Sequence, residues 1–372
     1  MTRPRWTTWL ARGMLFTAAL AGSLLVAELY VRMTSTRVLP SDQDPVLGAV
    51  QSSPDMLVAN NDVDKRLIPG SDVVIHNHSL SQRDIRVQVN AQGFRDDELT
   101  MPRPTDELRI LAIGDSITWG DYLQADEVWV QQAEQHLAAT WPHRTVQVVN
   151  GGLGDQGLAE EVEILAERGV QVQPQHVVVA FYLNDSRPPW GFPGELGAPG
   201  FFRNSSALID TIYRNAMLRG WVKVRGGERF TEWVSLAPKR DWADDTQAFD
   251  RLVQAAHYDW GAAWDTESWA GIERQLDTLE DLAIDHHFTV SIVIFPVSFQ
   301  VYAHFLDDAP QRALGAIAAQ RGIPTLDLLP LLREHRGRLL FLDHCHPTVY
   351  GHEIIGAEVG EFLQRVAVEP SP

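Results

Sequence analysis

The chain has almost no cysteine and little basic charge. A single cysteine, Cys345, stands among 372 residues, so an internal disulfide is excluded and the cysteine content does not reveal the compartment. Lys and Arg total 31 against 49 acidic residues, which gives a formal net charge of -18, and no long basic run occurs. Nucleic-acid phosphates are bound by clustered Lys and Arg. We therefore expect no nucleic acid among the partners.

The sequence also lacks internal repeats, low-complexity tracts and a phosphate-binding loop. The glycine-rich stretch GGLGDQG is followed by no GK[ST], and its spacing does not fit GxGxxG. Apolar residues make up 45% of the chain and charged residues 22%, which is enough to bury a sizeable core. A globular protein is expected, with one large domain plus extra segments or with two domains.

A long apolar run lies near the N-terminus. Arginines precede it, and it extends from Gly13 to Val31, interrupted only by small polar residues and Glu28. As a helix it would be about 28 Å long, close to one hydrocarbon core, and its basic flank should stay in the cytoplasm. We predict an uncleaved signal anchor over residues 1–33, with the remainder extracytoplasmic, either periplasmic or extracellular. The alternative is a cleaved signal peptide, which would give a secreted form.

Residues 34–105 and residues 106–368 have different patterns. The first part is rich in Pro, Asp, Asn and Ser, and it is predicted to be a linker with a short β-rich lead-in, whose candidate strands are DVVIH and IRVQVN. In the second part, short apolar runs alternate with helical stretches; the predicted strands lie in LRILAIGDS, TVQVVNGG, HVVVAFYLND, FTVSIVIFP and IPTLDLLP. This alternation indicates an α/β fold with a parallel sheet covered on both faces.

The alternation stops between about residues 186 and 268. An insertion of this size within a domain is usually a lid or a subdomain. Its tryptophans could form a platform for a sugar or contact an acyl chain, but we favour packing of the insertion against the core. These tryptophans are Trp190, Trp221, Trp233, Trp242, Trp260 and Trp264.

Polar clusters follow successive strands and precede the last helix. They read GDSITWG, VNGGLGDQG, FYLND and DHCHP, and the carboxyl ends of parallel strands meet at one edge of a sheet. A serine nucleophile needs a base oriented by a carboxylate, and Ser116, His346 and Asp343 supply these types. Taken alone, each residue has a structural explanation, such as a helix N-cap for Ser116. Their occurrence together and in this order favours catalysis.

These four blocks resemble those of the SGNH/GDSL hydrolase superfamily, over roughly residues 108–366 apart from the insertion. The stretch NAQGFRDDE also resembles the lead-in of membrane-anchored bacterial members. The resemblance implies a flavodoxin-like three-layer αβα sandwich and a serine hydrolase that acts on esters. It implies that Ser116 is the nucleophile, that Asp343 and His346 complete the triad, and that the Asn184 amide serves the oxyanion hole.

The chain departs from the family pattern in two blocks. The second block is one residue short, so we assign the oxyanion N–H to Gly154, with Gly152 as the alternative, beside the N–H of Ser116. In the third block Tyr182 stands where the family usually has glycine. A bulkier pocket wall is expected there.

A metal site is the rival interpretation of DHCHPTVYGH. His344, Cys345, His346 and His352 could be drawn as zinc ligands, yet the sequence has no second CxxC or HxxxH cluster. We expect no metal and no cofactor. Cys345 is expected to be a small packed residue, His344 to face solvent or cap locally, and His352 to be structural.

The sequence therefore predicts a serine esterase or deacylase, and acyl esters of envelope glycans or lipids are its expected substrates. An acyltransferase that uses the same serine is an alternative that the sequence does not separate from it. A non-catalytic envelope protein that keeps the fold is the third hypothesis, and the intact blocks count against it.

Overall fold

The structure is a computed structural model that describes residues 5–34, 37–40, 57–59, 65–154, 156–186, 205–209, 211–213, 216 and 228–367. In chain order its named elements are α1 (Arg5–Thr34), β1 (Arg37–Pro40), β2 (Leu57–Ala59), β3 (Lys65–Leu67), β4 (Asp72–His76), β5 (Ile85–Gln88), β6 (Glu107–Gly114), α2 (Ser116–Trp119), α3 (Trp129–Thr140), β7 (Thr145–Gly152), α4 (Leu158–Glu167), β8 (His176–Tyr182), α5 (Glu228–Leu236), α6 (Thr246–Ala255), α7 (Thr266–His286), β9 (Thr289–Phe295), α8 (Ser298–Tyr302), α9 (Ala309–Gln320), β10 (Thr325–Asp327), α10 (Leu329–Glu334) and α11 (Val349–Val366).

A five-stranded parallel sheet forms the centre of the fold. Its strand order is β10-β9-β8-β6-β7, and every neighbouring pair is parallel. Counted from the first strand of this sheet, the order is 2-1-3-4-5, that of flavodoxin-like folds. Every residue of β6 and β8 is buried, as expected for strands covered by helices on both faces. The predicted α/β fold with a parallel sheet is confirmed.

Helices pack in pairs beside the sheet. Helix α3 packs against the last helix, α11, and α4 packs against α7. Small residues permit the first of these contacts: a Cβ on Gly356 would lie 2.3 Å from the Gln132 Cβ. The close approach of α11 fixes the C-terminal segment that precedes it against the carboxyl edge of the sheet.

The lead-in packs onto the domain that carries the sheet. Strand β4 pairs antiparallel with β1 and β5, in the two stretches predicted as strands. The buried Arg95 donates to the carbonyl oxygens of Trp119 and Leu123, at 2.7 and 2.6 Å, and Asp96 accepts from the N–H of Asn150 at 2.8 Å. The lead-in thus braces the turn that follows α2.

The described part of the insertion is helical and packs through aromatic rings. The ring of Trp233 on α5 lies 6.0 Å from Trp260 and 6.0 Å from Phe299 on α8, and Trp242 lies 4.9 Å from Phe299. Packing of these three tryptophans against the core is confirmed. Trp190 and Trp221 lie outside the described residues.

Helix α1 contains the predicted apolar run. Among the described helices, it is the one long and apolar enough to cross a membrane, over Arg12–Thr34, and this stretch is not buried within the protein. By length and composition, α1 fits either a membrane anchor or a signal sequence.

Candidate active site

Ser116 occupies the sharp turn between β6 and α2. The strand ends at Gly114, and the side chain of Asp115 caps the helix by accepting from the N–H of Ile117 at 2.9 Å. A Cβ on Gly114 would lie 2.3 Å from Thr118 Oγ1 and 3.0 Å from the Ala180 Cβ, so this position has no room for a larger residue. The turn places Ser116 at the carboxyl edge of the sheet.

Asp343 and His346 belong to one tight turn before α11. The turn is closed by a hydrogen bond of 2.8 Å from the N–H of Leu342 to the His346 carbonyl. Within it, Asp343 Oδ1 accepts from the N–H groups of Cys345 and His346, at 2.9 and 2.8 Å, and Asp343 Oδ2 lies 2.8 Å from His346 Nδ1. Three donors therefore hold this carboxylate in place.

The imidazole of His346 contacts Ser116 through its other nitrogen. His346 Nε2 lies 2.8 Å from Ser116 Oγ. Because the carboxylate of Asp343 can only accept, Nδ1 carries the proton, and Nε2 of the neutral ring is the acceptor for the Ser116 hydroxyl. A serine, a base and a carboxylate joined in this order by hydrogen bonds can generate an alkoxide-like nucleophile.

Burial and the ion pair shift the pKa values of His346 and Asp343 in opposite directions. Burial by itself lowers the pKa of His346, but the hydrogen bond and charge of Asp343 outweigh it, so the pKa lies above its ordinary value. Burial by itself raises the pKa of Asp343, but the hydrogen bond and charge of His346 hold it well below its usual range. Asp343 is ionised wherever the imidazole titrates.

The two candidate glycines differ in their surroundings. The N–H of Gly152 donates to Asn150 Oδ1 at 3.0 Å, and a Cβ there would lie 2.2 Å from the backbone nitrogen of Trp119. Gly152 is thus packed beneath α2. A Cβ on Gly154 would instead lie 3.9 Å from the Ser116 Cβ. Gly154 is therefore the glycine beside the serine side chain.

Asn184 lies in the turn that follows β8, the neighbour of β6 in the sheet. Asp185 fixes this turn because its Oδ2 accepts from the N–H of Tyr182 at 2.9 Å. Asn184 is half-buried. Its position brings a side-chain amide to the same edge of the sheet as Ser116.

Sequence reasoning did not identify Asn150. This buried side chain donates from Nδ2 to the Thr118 carbonyl at 2.8 Å and accepts from the N–H of Gly152. It therefore ties the end of β7 to the helix that begins with Ser116. A polar residue directly after the apolar pair Val148 and Val149, at the buried end of β7, is the signal that could have revealed it.

Tyr122 and His352 form a second pair next to the imidazole of His346. The N–H of Trp129 donates to His352 Nδ1 at 3.0 Å, so Nε2 carries the proton and donates to Tyr122 Oη at 2.7 Å. Burial lowers the pKa of His352 to about 3, which keeps the ring neutral. The residue expected to be structural is fully buried and fixes a tyrosine beside His346.

The side chain of His344, which is expected to face solvent or cap locally, is mostly buried, with 22% of it exposed. Its ring lies 4.6 Å from that of Trp233 on α5, because the insertion packs over this turn. The insertion therefore forms part of the wall beside the triad.

The rival metal site can be tested on its donors. Ligand atoms of Asp343, His344 and Cys345 lie within 4.8 Å of one another. However, burial raises the pKa of the Cys345 thiol well above its ordinary value, and metals bind the thiolate. Asp343 already accepts three hydrogen bonds. These donors do not suit a zinc ion.

No family model matches the chain, and no curated protein matches it. Among solved structures, it is similar to a two-domain esterase (CEX) active on acetylated mannans, at 15% identity and a TM-score of 0.38, over 72% of this chain and 51% of that one. The chain thus spans about half of that protein.

Two further structures show the same level of likeness. An acetylxylan esterase from Geobacillus stearothermophilus matches at 16% identity and a TM-score of 0.38, over 71% of this chain and 97% of that one. A putative lipolytic protein of the G-D-S-L family from Desulfitobacterium hafniense matches at 15% identity and a TM-score of 0.34, over 68% of this chain and 98% of that one. At such TM-scores these are similarities only, and the fold assignment rests on the chain's own strand order.

Proposed function

We propose that the chain is a serine hydrolase that cleaves esters through Ser116, His346 and Asp343. The observation that supports this most is the unbroken chain of hydrogen bonds from Ser116 Oγ through both nitrogens of His346 to Asp343, each 2.8 Å long. The three residues come from two distant segments and meet at the edge of the sheet where α/β folds hold their sites.

In the first step, neutral His346 takes the Ser116 proton while Oγ attacks the acyl carbon. Asp343 stabilises the imidazolium that forms. The N–H groups of Ser116 and Gly154 and the amide of Asn184 are the proposed donors to the oxyanion. The imidazolium then gives its proton to the leaving alcohol oxygen as the ester C–O bond breaks, which leaves an acyl group on Ser116.

In the second step, a water molecule attacks the acyl-enzyme. His346 takes a proton from the water, and it gives this proton to Ser116 Oγ as the bond between Oγ and the acyl carbon breaks, which releases the carboxylic acid and regenerates the serine. No redox partner or cofactor takes part in either step.

The substrate class follows from the proposed location. If α1 remains as an anchor with its basic flank in the cytoplasm, the catalytic domain lies outside the cytoplasmic membrane. Acyl esters of envelope glycans or lipids are then within its reach.

Acyl transfer is the second candidate, and the contact of Trp233 with His344 favours it. A wall that limits the access of water to the acyl-enzyme would let an alcohol compete. Product analysis with increasing concentrations of an acceptor alcohol distinguishes the two: transfer gives a new ester, and hydrolysis gives only the acid.

A fluorophosphonate probe tests the nucleophile directly. We expect one covalent adduct per chain, mapped to Ser116 by peptide mass spectrometry, and no adduct on Ser116→Ala. A folded wild-type chain that does not react would favour the non-catalytic interpretation.

A further inference from the structure

Glu28 is the only acidic residue in the apolar run of α1. Its carboxylate is fully engaged in the structure: Oε1 lies 2.7 Å from Arg32 Nε and 2.9 Å from the N–H of Ala207, and Oε2 accepts from Ser206 Oγ at 2.7 Å and from the N–H of Leu208 at 2.9 Å. An ionisable residue within a membrane segment is costly and has a specific partner. Here the partners are Arg32 of the same helix and three donors from the insertion.

The position of Glu28 in α1 sets the depth of this contact. Glu28 precedes Val31, the last residue of the apolar run, by three positions, which is about 5 Å along a helix. The contact covers one side of α1 at this level. Its half-buried residues are Ala27, Glu28, Val31 and Arg32, and their neighbours in the helix are exposed. In a membrane-anchored chain, residues 206–208 would therefore lie at the membrane–water interface on the outer face of the cytoplasmic membrane.

The residues that follow present an apolar face. Residues 207–209 and 211–213 are helical, and Ile209, Ile212 and Tyr213 are 43%, 60% and 44% exposed. Spacing of three and four places them on one side of a helix. Exposed isoleucines beside a membrane helix suit the acyl boundary of a bilayer, and tyrosine is enriched at that level.

We propose that residues 205–209 and 211–213 belong to an interfacial segment that lies on the bilayer beside α1 and is held there by Glu28. The inference rests on the proposed anchoring of α1. The occupant of the apolar face is lipid, because that face is continuous with a helix that would itself be in lipid. Since the same insertion brings Trp233 against His344, the docking holds the catalytic edge near the headgroups, where a lipid-linked ester would be presented.

Site-directed labelling of the full chain tests the proposal. Ile212→Cys carries an environment-sensitive fluorophore in vesicles of phosphatidylethanolamine and phosphatidylglycerol, and nitroxide lipids with the spin label at shallow or deep positions quench it. Ile284→Cys is the matched control, because Ile284 on α7 is also an exposed isoleucine, at 70%. Leu20→Cys in α1 reports on the anchor. Cys345 is buried, so the unsubstituted chain gives the labelling background.

We expect shallow nitroxides to quench the Ile212→Cys label severalfold more than the Ile284→Cys label, and deep nitroxides to quench the Leu20→Cys label. Adding Glu28→Leu should reduce quenching at position 212 to the level at 284 and leave that at position 20 unchanged. Equal quenching at 212 and 284, with position 20 quenched, would overturn the interfacial segment, and an unaltered signal with Glu28→Leu would overturn its docking through Glu28.

If position 20 is not quenched either, the anchor fails and this inference fails with it. None of these signals depends on ester hydrolysis. Fluorophosphonate labelling of Ser116 in the same samples therefore reports separately on the proposed catalytic function.

Discussion

The rings of Tyr122 and His346 pack in a T-shaped arrangement, with the two centroids 5.0 Å apart and the planes at 74°. The tyrosine is itself fixed, because its hydroxyl bonds with His352 of α11. The imidazole of His346 is thus held by the Asp343 carboxylate at Nδ1 and by the packed ring of Tyr122. Such contacts keep a base in the orientation that proton transfer requires.

The buried hydroxyls of Tyr122 and Tyr182 should behave differently when removed. Tyr122→Phe leaves the buried N–H of His352 without an acceptor, which costs about 1–3 kcal/mol. Tyr182 Oη has no hydrogen-bond partner within the described part of the chain, so Tyr182→Phe should leave the free energy of unfolding unchanged or raise it. Urea denaturation of both variants checks this. Equal destabilisation by the two substitutions would contradict the assignment of these partners.

Activity should depend on pH through His346. Only the neutral ring accepts the serine proton, so kcat/KM should rise with pH as the imidazolium deprotonates, with a midpoint above the ordinary histidine pKa of about 6.5, since the pKa of His346 is raised. Asp343→Asn removes the carboxylate and leaves the burial. The midpoint should therefore move to lower pH, and kcat should fall on the order of 10⁴-fold because the tautomer is no longer fixed.

Asp244→Asn is the matched control for this substitution. Asp244 also pairs with a histidine, His304, at 2.6 Å, but both side chains are exposed, and such surface pairs contribute little. The pH profile of Asp244→Asn should match that of the wild type. An unchanged profile for Asp343→Asn as well would contradict the role of Asp343.

Substitutions at Gly154 and Asn184 test the oxyanion donors. Gly154→Ala keeps the backbone N–H and meets only ordinary contacts of 3.8–3.9 Å, whereas Gly154→Pro removes the N–H. We expect Gly154→Pro and Asn184→Ala each to lower kcat by about 10²–10³-fold, with little change in KM. Gly154→Ala should be affected far less. Equal activity of the alanine and proline variants would remove Gly154 from the oxyanion hole.

Chelation should not affect the reaction. The protonated thiol of Cys345 and the occupied carboxylate of Asp343 make a poor metal site. Dialysis against EDTA should leave kcat/KM for an ester unchanged, and added Zn²⁺ should not increase it. A loss on chelation that Zn²⁺ restores would support the rival metal-dependent mechanism.

The order of strands and helices could be predicted because the core strands are continuous apolar runs that end on glycine or polar residues. DVVIH and TVQVVNGG were predicted with the bounds that the structure shows for β4 and β7. The strand-end rule placed Ser116 at the edge of the sheet, and the resemblance of the four blocks implied its partnership with His346, which lies in a turn before α11 and not at the end of a strand.

Contacts between distant segments could not be predicted in this way. Nothing local in the sequence shows that His352 would bond with Tyr122, or that Trp233 would cover His344, because these contacts depend on how α11 and the insertion pack. The partners of Glu28 outside α1 lie about 180 positions further along the chain, beyond the range of any periodicity. A charge inside an apolar run signals that a partner exists, but not which one.

The most direct test of the account is the hydrolysis of p-nitrophenyl acetate by the full chain in detergent, with Ser116→Ala measured alongside under the same conditions. We predict that the wild type turns over the ester and that Ser116→Ala, still folded by circular dichroism, loses several orders of magnitude in kcat/KM. Hydrolysis by Ser116→Ala at the rate of the wild type would show that Ser116 is not the nucleophile, and would contradict the proposed mechanism.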